Sequence, residues 1–294
     1  MEKIRKFISN KNVYSSYKNY CAIIGGAPSK GARSPKLWNK AFKKYKIKNN
    51  MIAFDVNKKN LTKLLKALDK DKNFIGGCIT VPHKEKVSSW LKNRLTRTSK
   101  KIGAVNCLFR DKRGNLMGTN TDGEAAIKSF KNFFGNIGKK KILLLGPGGA
   151  GKAVASYFSN EIINKRNLII AGRTENSKNF SKQIKAQWIN FKKLKRLSLK
   201  DFQIVINCTS IGFGKDVDKT PISLQNFKTA KRNTLVFDII YKPLKTKFLQ
   251  LAKKNNAKIL NGLDMNLRQA VIAFGYTNKK LKSNSITLKY MRSA

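Results

Sequence analysis

Short apolar runs alternate along the chain with longer segments of helical spacing. Residues 20–24, 51–56, 74–81 and 104–109 are apolar runs of strand length. The segments after Pro35, after Asn57 and after Pro82 have helical spacing. Two of them begin at or near a proline, whose missing N–H costs nothing in a first helical turn. Residues 111–115, Asp-Lys-Arg-Gly-Asn, predict a turn between two strands. A second series starts at Lys141: 141–145 predicts a buried strand, 152–158 opens a helix, and 167–173, 202–207 and 234–238 predict further strands. Strand–helix alternation requires crossover connections, which give parallel sheets of one hand. No internal repeat is present. Residues 185–200 are basic and weakly apolar and are expected to be a surface excursion, and 277–294 are polar and basic.

Length and composition narrow the class. The 294 residues suit one large domain or two ordinary ones, and an apolar content of 41% is enough to build cores. Lys and Arg number 63 against 15 Asp and Glu, a formal charge of +48. Nucleic-acid recognition needs such cations clustered on one element. Here they are spread along the whole chain, which predicts solvated faces and no specific nucleic acid partner. The basic start, including Lys3, Arg5, Lys6 and Lys11, has no apolar run of signal-peptide length, and no 18-residue apolar stretch exists. No membrane association is expected. Cys21, Cys78, Cys107 and Cys208 show neither paired spacing nor histidine partners. A reducing cytoplasm, no disulfide and no metal are therefore expected. His83 is the single histidine, so a Ser-His-Asp hydrolase would have to use it.

Two regions carry candidate chemistry. Residues 146–151, Gly-Pro-Gly-Gly-Ala-Gly, place Gly146, Gly148 and Gly151 in a G-x-G-x-x-G spacing, with Gly149 and Ala150 between them. The pattern is weak alone, but here it follows a predicted strand and opens a predicted helix. Glycines give the tight turn and allow backbone to approach a pyrophosphate, which meets free N–H groups at the helix start. The next strand ends in Arg173, not in the carboxylate that would accept from a ribose 2′-OH. A guanidinium pairs with a 2′-phosphate, Thr174 adds a hydroxyl and Lys178 a further charge, so NADP is favoured over NAD.

The second region is a series of polar motifs. Gly-Ala-Pro and Arg-Ser-Pro stand at 26–28 and 33–35, Ile-Thr-Val-Pro-His-Lys-Glu at 79–85, Gly-Ala-Val-Asn at 103–106 and Thr-Asn-Thr-Asp-Gly at 119–123. Ile-Asn-Cys-Thr-Ser-Ile-Gly follows at 206–212, Phe-Asp-Ile-Ile-Tyr-Lys-Pro at 237–243, and then Asn-Gly-Leu-Asp-Met with Gln269. In this order the set resembles the shikimate dehydrogenase family from about Cys21 to about Phe274. The resemblance implies a two-domain α/β enzyme, with a mainly parallel substrate-binding domain (1–121 with 263–294) and a Rossmann NADP-binding domain (122–262). It implies reversible NADP-dependent reduction of 3-dehydroshikimate to shikimate, a step towards chorismate and the aromatic amino acids. Monomers and homodimers both occur in the family.

Lys84 falls on the family's catalytic lysine and Asp122 on its partner aspartate. Hydride reaching a carbonyl carbon leaves negative charge on oxygen, which an ammonium stabilises and protonates. Asp122 would orient Lys84 and accept from a substrate hydroxyl. The plainer readings are a solvated cation at a helix start and a helix cap. Ser34 and Tyr241 match residues on the substrate carboxylate side. Thr80, Asn106 and Gln269 match contacts to the ring substituents. Thr209 and Ser210 match the loop beside the nicotinamide, with Gly262 near it. Two positions depart from the family: Ala32 stands where a serine is usual, and Cys78 where an asparagine is usual. A lost hydrogen bond to a charged group costs about 1.5–3 kcal/mol unless Arg33, water or a shifted Ser29 replaces it. Weaker shikimate binding, a rearranged pocket and a related substrate such as quinate or an aminoshikimate all stay open. A non-catalytic ligand sensor is the rival from another class.

Overall fold

The computed structural model describes every residue except Met1, Asn12, Lys279, Lys280, Lys282 and Ser283. The chain divides into two compact units, Met1–Thr121 with Leu267–Ala294, and Asp122–Asn266.

The first unit opens with helix α1 (Glu2–Arg5) and strand β1 (Tyr20–Gly25). It continues through α2 (Ser34–Lys44), β2 (Asn50–Asp55), α3 (Lys58–Lys70), β3 (Phe74–Ile79), α4 (Lys84–Leu91), α5 (Arg97–Ile102), β4 (Cys107–Arg110) and β5 (Leu116–Thr119). The sheet order is β2-β1-β3-β4-β5, with β1 parallel to β2 and β3. β4 and β5 run antiparallel because the 111–115 connection is too short for a crossover. Asp111 closes that turn by accepting from the N–H groups of Arg113 and Asn115. β1 is buried along its whole length, as an interior strand of a sheet covered on both faces. One face packs against the α3 stripe Leu61, Leu64, Leu65 and Leu68, whose spacing puts all four on one side of the helix. The other face packs against Trp38 and Phe42 of α2 and against Phe274, with the Trp38 and Phe274 rings edge to face at 5.2 Å.

The second unit holds α6 (Asp122–Phe134), β6 (Ile142–Leu145), α7 (Gly149–Glu161), β7 (Leu168–Gly172), α8 (Glu175–Gln183) and β8 (Gln187–Asn190). β9 (Ile204–Asn207), α9 (Leu224–Lys228), β10 (Leu235–Asp238), α10 (Lys247–Lys254) and β11 (Lys258–Leu260) follow. All six strands are parallel in the order β11-β10-β9-β6-β7-β8. That is the doubly wound order of a dinucleotide-binding sheet, which reverses direction between β6 and β9. The chain returns to the first unit within α11 (Leu263–Thr277) and ends in α12 (Asn284–Arg292).

Residues 185–200 correct the sequence expectation. They form edge strand β8 and a 3-10 helix at Phe191–Arg196, with Leu194 and Leu199 buried. No β8 residue is fully buried, so its sequence carries no alternation to read. The polar stretch 277–294 contributes α12, whose Met291 joins the α2 core, and lies partly outside the described residues. None of the described helices is long and apolar enough to cross a membrane.

Candidate functional site

In the first unit the carboxyl ends of β1, β2 and β3 carry the polar motifs, which is where open α/β sheets bind ligands. The segment leading to Lys84 is fastened to these ends. The Thr80 N–H donates to Ile24 O at 2.9 Å, and the Val81 carbonyl accepts from Gly26 N at 2.9 Å. His83 is buried, and its Nε2 bonds the Val56 carbonyl at 2.8 Å. Its Nδ1 is buried with no partner among the described residues, and burial lowers its pKa, so the ring is neutral and takes no part in a Ser-His-Asp relay. Lys84 is half-buried at the first position of α4. Its carbonyl accepts from Val105 N at 3.0 Å, which joins α4 to the segment before Asn106.

Asn106 and Gln269 come together through a residue not singled out by the sequence. Asn106 Nδ2 donates to Thr121 Oγ1 at 3.0 Å and to Gln269 Oε1 at 3.4 Å, and its Oδ1 accepts from Thr121 N at 2.7 Å. Thr121 Oγ1 donates to the Gln269 carbonyl at 3.2 Å. All three residues are buried. Thr121 stands in the Thr-Asn-Thr-Asp-Gly motif, but its partners lie far away in sequence, so spacing gives no sign of it. Ser34 is buried at the first position of α2, and Thr80 is half-buried. Ser29 is committed elsewhere: its N–H and hydroxyl donate to the Asp55 carboxylate at 2.9 and 2.5 Å. This fixes the 26–34 loop and takes Ser29 out of the role of replacement hydroxyl. Cys78 lies in the apolar cluster with Cys21 and Cys107, opposite Cys107 across β3 and β4. Burial pushes the Cys21 and Cys107 thiols well above their ordinary range, so both stay protonated.

In the second unit the glycine loop joins β6 to α7 at the point where the strand order reverses. Gly146 has φ +83°, and a Cβ there would lie 2.5 Å from Thr209 Cγ2, so the loops after β6 and β9 touch. A Cβ on Gly151 would lie 2.1 Å from the Gly146 carbonyl, so only glycine lets the helix approach the strand this closely. Gly148 differs. It is exposed, caps α7, and a Cβ there would meet nothing within 4 Å. Gly149, Ala150 and Gly151 form the first helical turn, whose N–H groups have no intrahelical partner. This open surface and the donors beneath it fit a pyrophosphate.

Arg173 is exposed directly after β7. Thr174 caps α8 by accepting from Ser177 N at 3.3 Å, which leaves its O–H as a donor. Lys178 is half-buried and 3.5 Å from Glu175, a surface pair of small energy. Thr209 is half-buried and Ser210 exposed after β9. Tyr241 is half-buried after β10, and the buried Gly262 donates its N–H to Ile240 O at 2.9 Å. Asp122 is buried at the first position of α6. It and Asp238 lie close enough to Cys208 to help burial raise that thiol's pKa. Lys84 thus belongs to the first unit and Asp122 opens the second.

The family described as shikimate dehydrogenase substrate binding domain matches residues 24–108, and the family described as shikimate / quinate 5-dehydrogenase matches residues 128–242. A shikimate dehydrogenase (NADP(+)) of Caldanaerobacter subterraneus subsp. tengcongensis is 35% identical over 256 residues, 85% of this chain and 88% of that protein. A crystal structure of a shikimate dehydrogenase in complex with NADP+ superposes with a TM-score of 0.81 at 27% identity, covering 97% of this chain and 99% of that one. The Thermus thermophilus enzyme in complex with NADP(H) and shikimate superposes with a TM-score of 0.77 at 25% identity, covering 94% and 99%.

Proposed function

The chain belongs to the shikimate dehydrogenase family, and from that premise we propose that it interconverts 3-dehydroshikimate and shikimate with NADP(H), as an enzyme of the shikimate pathway. The nicotinamide, when bound, supplies the hydride to the ketone carbon. The first turn of α7 and the open face of Gly148 hold the pyrophosphate, and Arg173, with Thr174 and Lys178, holds the 2′-phosphate. Thr209, Ser210 and Gly262 line the nicotinamide side. Ser34 and Tyr241 hold the substrate carboxylate, and Thr80, Asn106 and Gln269 hold the ring hydroxyls. Lys84 places its ammonium on the oxygen that gains charge, stabilises it and gives it a proton. In the reverse direction the neutral amine takes that proton back. Asp122 accepts from a substrate hydroxyl. Placement in the cytoplasm is proposed from the sequence, whose four cysteines show no paired spacing.

The observation that carries this reading is the fastening of Lys84. Its own carbonyl is bonded to Val105, beside Asn106, and the preceding turn is bonded to the ends of β1 and β2. Lysine at a helix start is mildly unfavourable, so stability does not explain the residue or its anchoring. Lys84→Ala should abolish NADP+-dependent shikimate oxidation while shikimate still binds by calorimetry. Wild-type turnover in that variant would refute the role of Lys84. A related substrate, quinate or an aminoshikimate, is the second reading. It is favoured by Ala32, by the apolar setting of Cys78 and by the engagement of Ser29 with Asp55.

A further inference from the structure

The second unit contains a buried carboxylate that the reaction described above does not use. Asp238 ends β10 and is fully buried, as are Asn207 at the end of β9 and Thr246 at the start of α10. Asp238 Oδ1 accepts from Asn207 Nδ2 at 3.1 Å and from the Ile240 N–H at 3.0 Å, and Oδ2 accepts from Thr246 Oγ1 at 2.7 Å. The Asn207 amide is used in full. Its Nδ2 also donates to Ile211 O at 3.2 Å, and its Oδ1 accepts from Thr209 N at 3.0 Å and Thr209 Oγ1 at 2.7 Å. Thr209 Oγ1 in turn accepts from Ile211 N at 3.1 Å. The two loops also touch directly, because a Cβ on Gly212 would lie 3.4 Å from both Ile240 and Thr246.

We infer that Asp238 is a positioning residue that fixes, on one carboxylate, the 208–212 loop carrying Thr209 and Ser210 and the 239–246 loop carrying Tyr241. Oδ1 reaches the first loop through Asn207 and the start of the second through Ile240. Oδ2 holds the far end of the second loop through Thr246. A buried charge is a poor source of stability, because packed apolar groups of similar volume hold a fold equally well or better. Burial raises the pKa of Asp238 to about 6, so at neutral pH it is ionised and both oxygens accept. What the carboxylate provides is direction: three donors on two oxygens set the relative register of two loops to better than a hydrogen-bond length. Asn207 is the coupler: its Nδ2 donates to Asp238 while its Oδ1 accepts from Thr209.

This inference rests on the reading that the first loop serves the nicotinamide and the second the substrate carboxylate. Asp238→Ala leaves three buried donors unpaired and is liable to unfold, so three gentler variants carry the test. Asn207→Ala releases only the first loop. It should weaken NADP+ binding, read by calorimetry, by about tenfold and lower kcat, with the shikimate KM unchanged. Thr246→Val releases only the second loop. It should raise the shikimate KM by about tenfold with NADP+ affinity unchanged, and Thr246→Ser should restore it. Asp238→Asn should impair both constants. Changes that merely follow the fraction of unfolded protein, or folded variants with both constants at wild-type values, would overturn the inference. If the wild type binds NADP+ but does not oxidise shikimate, the substrate reading fails. The calorimetric arm with Asn207→Ala still decides whether the network positions the cofactor loop.

Discussion

Lysine at the first position of a helix opposes the helix dipole, and Lys84 occupies that position in α4 with its carbonyl bonded to Val105. Arg173 is the other cation whose position, not its charge alone, sets it apart. It stands exposed where β7 ends, one residue before the α8 cap. Arg173→Ala should raise the KM for NADP+ by about ten- to hundredfold and leave the KM for NAD+ unchanged, since a hydrogen-bonded charge pair to the 2′-phosphate is worth about 1.5–3 kcal/mol. Equal losses with both cofactors would show that Arg173 holds something other than that phosphate. Arg173 was legible as a candidate from its distance to the glycine loop, and Lys84 from the motif that carries the family resemblance. Thr121, Asn207 and Asp238 were not, because their partners come from other strands and helices. The sequence shows their polar identity but not the bonds that make them useful. His83 was legible only as a candidate, and burial against Val56 turned it into a neutral anchor.

At the scale of elements, the glycine loop separates two requirements that one motif combines. Gly151 is needed by the protein, because a Cβ would strike the Gly146 carbonyl. Gly148 is not, because its surroundings are open and its φ of −75° suits any residue. Gly151→Ala should therefore destabilise the second unit by about 1–3 kcal/mol. Gly148→Ala should leave the thermal midpoint unchanged and weaken NADP+ binding severalfold. Normal cofactor affinity in the Gly148 variant would place the pyrophosphate elsewhere. The buried strands were readable as apolar runs, and the tight 111–115 turn implied the antiparallel hairpin. β8 was missed because an edge strand with no fully buried residue carries no period-two signal. The Asp55–Ser29 bond was also hidden, since it joins the end of one strand to a loop two elements earlier.

For the whole molecule, the formal charge of +48 is the most conspicuous feature of the sequence and says least about the chemistry. We propose the chemistry for Lys84 and Arg173, with Lys178 as an accessory. The remaining excess still creates a field, and both shikimate and NADP+ are anions. A positive field raises their encounter rate and is screened by salt. Accordingly kcat/KM should fall as ionic strength rises while kcat changes little. A flat kcat/KM would reduce the charge to a solvated compositional bias.

We propose one substrate and one cofactor for the chain, shikimate and NADP+. That pairing is tested most directly by steady-state kcat/KM for shikimate, quinate and aminoshikimate, each with NADP+ and with NAD+, on the intact chain. The expected result is that shikimate with NADP+ gives the highest value by at least about tenfold, the free-energy equivalent of one hydrogen bond to a charged group. A maximum with quinate or an aminoshikimate, a preference for NAD+, or no reduced cofactor from any pair would contradict it.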